Sequence, residues 1–239
     1  MNDTPWFASE MLAWDTETTG VNVESDRIVT VALVKVGPDG AQPWQAIINP
    51  GVEIPEAAAR IHGWTTEKVR EHGREPAEVL EVVASALAAA MGAGIGAAGM
   101  NSSFDFSILD RELRRHGLPT LEDRLGGPIR PVIDVYVLDK HVSWRKGSRK
   151  LVDMAAFYGV ELGDGAHDAL ADTLAAARIA HKIGVRNELV GSMSLEDLHD
   201  AQIGWRREQQ ESLQAYFKSQ GKDDVVDPHW PLKPFGGAS

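Results

Sequence analysis

The stretch Met11-Leu12-Ala13-Trp14-Asp15-Thr16-Glu17-Thr18-Thr19-Gly20 runs from four apolar residues straight into two acids and a glycine. That is the pattern of a strand ending in carboxylates. Residues two apart on a strand face the same side, so Asp15 and Glu17 can meet one cation. They would do so at the strand end, where α/β sheets bind their ligands. The alternative is a solvated strand end carrying two exposed acids. Trp14 and the apolar run before it make acids in a central strand costly unless they bind something.

Working outward, residues 27–36 are β-branched, Gly37-Pro38-Asp39-Gly40 is a turn, and residues 44–48 form a further strand. A short Gly/Pro turn between two such runs predicts a hairpin, so three antiparallel strands lead the fold. After Asn49-Pro50-Gly51 the pattern becomes helical. Helices are expected over 55–61 and over 76–91, where Val79, Leu80, Val83 and Leu87 follow helical spacing and proline sits in the first turn. The small apolar run 92–99 reads as a buried strand. Residues 104–116 are helical, stopped by Gly117 and Pro119, and 129–133 read as the last strand. Helices follow over 134–141, 149–158 and 168–183. Strands first, then strands alternating with helices, predict a mixed-sheet α/β domain over 1–184. Residues 185–239 read as a helical C-terminal extension, with an amphipathic helix over 194–219 and an extended or mobile Pro/Gly-rich tail.

Composition narrows the classes of function. Hydrophobic residues make up 43% and charged residues 25% of 239 positions, as in ordinary globular proteins. No apolar stretch reaches the roughly 18–20 residues that span a bilayer, and the N-terminal segment lacks a secretory pattern. A cytoplasmic protein without a membrane partner is the expectation. There is no cysteine, so no disulfide, thiolate metal site or cysteine nucleophile exists. A net charge of -11 argues against broad electrostatic coating of duplex nucleic acid. It leaves room for an enzyme that grips a few nucleotides through cations.

Two further clusters carry candidate chemistry. In Asn101-Ser102-Ser103-Phe104-Asp105, Asp105 falls in the first turn of a helix, where the dipole favours negative charge, and Asn101 reads as the cap. Phe104 can pack in the core or offer a face to a base. In His167-Asp168-Ala169-Leu170-Ala171-Asp172, His167 precedes a helix that Asp168 would cap, with Asp172 one turn on. Taken singly, Asp105 reads as a helix-terminus acid and His167 as an exposed cap. Taken together, an oxygen-rich carboxylate set suits magnesium or manganese, and a two-cation centre cleaves phosphodiesters with histidine suited to take a proton near neutral pH.

DTETTG at 15–20, NSSFD at 101–105 and HDALAD at 167–172 resemble, in order and separation, the three motifs of the DEDDh exonuclease family, which includes the DnaQ-like epsilon proofreading subunits. Ile54-Pro55 and Ile61-His62-Gly63 match it further, and the resemblance covers roughly 10–184. It implies a ribonuclease H-like α/β fold, with a mixed five-stranded sheet flanked by helices. It implies two divalent ions, Mg²⁺ or Mn²⁺, held by Asp15, Glu17, Asp105 and Asp172, with His167 as general base. Thr18, Thr19, Gly20, His62, Asn101 and Phe104 would contact the substrate. The implied reaction releases nucleoside 5′-monophosphates from a single-stranded 3′ end, DNA being favoured over RNA. The rivals are an exoribonuclease of the oligoribonuclease or ribonuclease T type and a non-catalytic, polymerase-associated binding module. One departure is Met100, where many relatives carry histidine.

Two secondary features stand outside the motifs. Lys140, His141, Arg145, Lys146, Arg149 and Lys150 form a basic run that is either a solvated loop or a contact for backbone phosphates. Residues 210–217, QESLQAYF, resemble a peptide that docks on a sliding clamp, but equally fit an amphipathic helix packed on its own domain. A DNA polymerase or a clamp is therefore the candidate protein partner.

Overall fold

The structure, a computed structural model, describes residues 4–162 and 169–236. Three antiparallel strands lead it: β1 (Met11–Thr18), β2 (Ile28–Gly37) and β3 (Gly40–Ile47). Then come α1 (Glu56–His62), α2 (Thr66–His72), α3 (Pro76–Gly92), β4 (Gly96–Gly99) and α4 (Ser103–Arg115). The chain continues with α5 (Leu121–Leu125), β5 (Val132–Asp134), α6 (Val135–Val142), α7 (Leu151–Tyr158), α8 (Ala169–Arg186), α9 (Glu188–Gly191) and α10 (Leu195–Ser219). The sheet order is β3-β2-β1-β4-β5, with β4 parallel to both β1 and β5. This is the expected mixed five-stranded sheet, opened by antiparallel strands. No helix among the described residues is long and apolar enough to cross a membrane.

β1 is central and covered on both faces. Leu12 and Trp14 pack with Leu80, Phe106 and Leu109 of α3 and α4. Met11 and Ala13 pack with Ala176, Ile179 and Ile183 of α8. The strand's period of two sorts its side chains between these layers. Trp14 and Phe106 meet with ring centroids 4.9 Å apart, and burying such aromatics contributes about 1.5–3 kcal/mol each.

The expected strand over 92–99 is corrected to Gly96–Gly99, since α3 runs on to Gly92. All four β4 residues are buried, so no polar alternation marks where it starts. A Cβ at Gly99 would lie 3.2 Å from the Trp14 carbonyl oxygen and 3.0 Å from Ser102 Oγ. That close approach explains the glycine. The short helices α2, α5 and α9 had no expectation from the sequence.

The C-terminal segment is knitted onto the sheet. β5 is an edge strand, and α10 satisfies its open side with side chains. His199 Nδ1 accepts from Val132 N (3.1 Å), Gln202 Nε2 donates to Val132 O (2.9 Å), and Asp134 N donates to Gln202 Oε1 (2.8 Å). The tail then folds back along α10, with Gln214 Nε2 donating to Asp224 O and Gln210 Nε2 to Asp227 O, each at 2.9 Å. Residues 210–217 lie within α10, where Tyr216 is exposed and Leu213 is half-buried.

Candidate active site

Three structural devices bring the candidate carboxylates together. β1 continues the Met11–Ala13 face into Asp15 and Glu17, so both acids fall on the side covered by α8, whose first described turn carries Asp172. Thr16 points to the opposite layer and donates its hydroxyl to Asp105 Oδ1 at 2.6 Å. Asp105 therefore reaches the end of β1 from the first turn of α4. The site lies where helices from both layers meet the C-terminal end of the central strand.

The electrostatics identify these residues as neighbours. Burial raises the Asp15 carboxyl well above the usual range, and the charges of Asp105, Glu17 and Asp172 raise it further. Asp15 lies deep yet is only partly covered. Burial pushes Asp105 up to about 7 against the opposing Thr16 hydrogen bond. Among the described residues no three acid or histidine side chains close into a coordination cage. The carboxylates gather around Asp15 as mutually repelling charges. His167 and Asp168 lie outside the described residues.

The other sequence candidates distribute around this centre. Thr18 Oγ1 donates to Gly20 O at 2.7 Å. Thr19 is buried, with its hydroxyl donating to Asp26 Oδ1 at 3.0 Å and accepting from Arg27 N, so its side chain is committed inward. A Cβ at Gly20 would fall 2.5 Å from an Asp26 carboxylate oxygen. His62 is buried and accepts from Trp64 N at 3.2 Å through Nδ1. Burial lowers its pKa, and the Thr18 backbone partly opposes that. A cavity of about 830 Å³ opens beside Glu17, lined among others by Thr30, His62, Trp64, Lys68, Arg74 and Ala169. Phe104 is half-buried and packs on the core.

The cap of α4 departs from expectation. Ser102, not Asn101, is the N-cap residue, and it makes no side-chain cap bond. Asn101 instead turns the chain with a left-handed φ of 57°. The amides of Asn101 and Ser102 donate to Asp134 Oδ1 (2.9 Å) and Oδ2 (3.0 Å). Sequence reasoning missed Asp134, although Val132-Ile133-Asp134 repeats the signal of Ala13-Trp14-Asp15, an acid closing an apolar strand.

The basic run is partly spent on structure. Asp139 is fully buried and accepts from Arg149 Nε (2.9 Å), Arg145 Nη2 (3.1 Å) and Tyr158 Oη (2.8 Å). His141 stacks on Trp205 at 3.7 Å. Lys146 and Lys150 remain exposed.

Comparison with known proteins gives consistent results. DNA polymerase III PolC-type of Lacticaseibacillus paracasei is 28% identical over 196 residues, covering 81% of this chain and 12% of the polymerase. Exonuclease DPD1, chloroplastic/mitochondrial, of Arabidopsis thaliana is 26% identical over 200 residues, covering 77% of this chain and 58% of that protein. This chain thus spans only part of the length of these relatives. Among solved structures, E. coli Exonuclease I in complex with a dT13 oligonucleotide superposes with a TM-score of 0.64 at 20% identity, covering 76% of this chain and 42% of that one. Its zinc-bound form with single-stranded DNA gives 0.65 at 20% identity, covering 87% and 45%. These likenesses show the ribonuclease H-like fold. The RNase_T exonuclease family model matches residues 12–180, well over half of the sequence, and the chain belongs to this DnaQ-like exonuclease family.

Proposed function

We propose that the chain is a divalent-metal-dependent 3′→5′ exonuclease acting on single-stranded DNA ends, with Asp15, Glu17, Asp105 and Asp172 as ion ligands and His167 as general base. The observation that carries this is the setting of Asp15, deep in the protein with the charges of Asp105, Glu17 and Asp172 upon it. Such a set of oxygen donors fits hard cations, whose charge would relieve the repulsion. When bound, two such ions supply Lewis acidity for both attack and departure of oxygen at phosphorus. Asp15, Glu17, Asp105 and Asp172 would together hold the ions beside the reacting phosphate, with Asp15 at the centre of the set. Thr16 holds Asp105 in place through its 2.6 Å hydrogen bond. His167 would take the proton of the attacking water, histidine being the side chain whose unperturbed pKa suits that task. The cavity beside Glu17 would receive the terminal nucleotide, with His62 at its wall.

DNA is favoured because the relatives include DNA polymerases and a fold neighbour is bound to a dT13 oligonucleotide. The test uses 5′-labelled single strands of DNA and RNA, matched in sequence, with magnesium or manganese. Stepwise shortening of DNA from the 3′ end, lost in Asp15→Ala, is expected. Shortening of RNA alone makes the chain an exoribonuclease. No shortening with any divalent ion overturns the proposal and favours a binding module.

A further inference from the structure

Asp134 is fully buried at the end of β5, and its carboxylate accepts four hydrogen bonds. Two come from the Asn101 and Ser102 amides that start α4, and one from Tyr136 N (3.0 Å). The fourth comes from far along the chain, as Trp230 Nε1 donates to Oδ2 at 3.0 Å. Gln202 of α10 holds the Asp134 amide at 2.8 Å, and the Arg206 charge favours the carboxylate against its burial. A few residues on, the tail grips α4 directly. Lys233 N donates to Ser107 Oγ (3.0 Å), and Arg111 donates to Lys233 O (3.0 Å) and Pro234 O (2.6 Å). The tail thus holds α4 through Asp134 before Asp105 and directly after it. Trp230, Lys233 and Pro234 all lie beyond the family match at 12–180.

We infer that the C-terminal tail is a positioning element of the catalytic centre, in which Trp230 orients Asp134, Asp134 fixes the Asn101–Ser102 turn, and that turn sets Asp105 against Thr16. The inference rests on the exonuclease reading of the site. A buried carboxylate with too few donors seeks others, so loss of the indole N–H loosens the grip of Asp134 on the two amides. Groups behind the ligands of a metal centre commonly change its affinity by about 10–100-fold when replaced. Trp230, one step further back, is expected near the lower end.

The test is Trp230→Phe in the full chain, which keeps an aromatic ring and removes the donor. Amide hydrogen exchange at Asn101 and Ser102 should speed up by about tenfold or more, the equivalent of one hydrogen bond to a charged group, while the β1–β2 amides stay protected. Calorimetric titration with Mn²⁺ should show affinity about tenfold weaker, and kcat should fall with KM for the oligonucleotide little changed. Ser107→Ala, which cuts the Lys233 anchor, should move the same readouts in the same direction. Wild-type exchange at Asn101 and Ser102 in both variants overturns the inference. So does global unfolding of both, because the tail would then be needed for folding rather than for placement. A wild-type chain that degrades no oligonucleotide defeats the exonuclease reading instead, and the exchange comparison still decides the coupling.

Discussion

Replacing Asp105 by asparagine should stabilise the ion-free protein, increasingly so as pH rises from about 4 to about 7. Asp105 is 5% exposed, and its carboxyl is raised from an ordinary 3.8 to about 7, chiefly by burial, with the Asp134 charge adding to it. The folded state therefore keeps a proton that the unfolded chain has released. Stability of the ion-free protein falls as pH rises from about 4 to about 7, and stays low above that. At about 1.36 kcal/mol per pH unit, the displacement corresponds to roughly 4 kcal/mol at pH 8. In Asp105→Asn the amide oxygen can still accept the Thr16 hydroxyl, now without a charge to bury. Allowing for imperfect fit of the amide nitrogen, a gain of about 2–4 kcal/mol at pH 8 and under about 1 kcal/mol at pH 5 is expected. Urea unfolding in EDTA at the two pH values measures both. The same variant with magnesium should lose about a hundredfold or more in exonuclease rate. A gain at pH 8 no larger than that at pH 5 would refute the electrostatic account of the site.

Four other outcomes are expected. Adding Mn²⁺ at pH 8 to about a hundred times its dissociation constant should stabilise the fold by about 2.7 kcal/mol, seen as a rise in Tm that Asp15→Asn largely abolishes. Arg145→Ala should cost about 1.5–3 kcal/mol in urea unfolding, because it removes one of the charged partners of buried Asp139 while Arg149 and Tyr158 remain; Lys146→Ala should leave stability alone and flatten the salt dependence of oligonucleotide binding. Gly99→Ala should cost about 1–3 kcal/mol and lower the rate, since its Cβ would press on the Trp14 carbonyl 3.2 Å away.

The legible parts of the sequence are those whose physics is local. The β2–β3 hairpin follows from a β-branched run and a Gly/Pro turn, and Thr30 pairs with Ile47 through to Gly37 with Gly40. α3 follows from its apolar spacing and N-terminal proline. β4 resisted exact placement because Gly-Ala-Ala-Gly, buried on both faces, carries no alternation. α2 spans only Thr66–His72 between two glycines, too short for a period to show. The carboxylates were legible because strand parity and helix starts announce them. Asp134 was not, since its donors sit 33 and 96 residues away, at Asn101 and Trp230. Arg145 was visible as a charge but not as a spent one, because its partner Asp139 had first to be buried by α6 and α7.

The placement of these acids explains why they fall on β1. A central strand covered on both faces is the most expensive place in this fold to put a charge, and also the most rigid. Leu12 and Trp14 lock one face and Met11 and Ala13 the other, so Asp15 and Glu17 cannot drift apart to ease their repulsion. Asp105 is held in the same way by Thr16 in front and by the turn on Asp134 behind. Rigid like charges are unfavourable when bare and favourable around a cation, because little reorganisation remains to be done when the ion arrives. Instability without metal and readiness to bind it are then one property of the site, and a variant that relieves the instability should bind the metal less well.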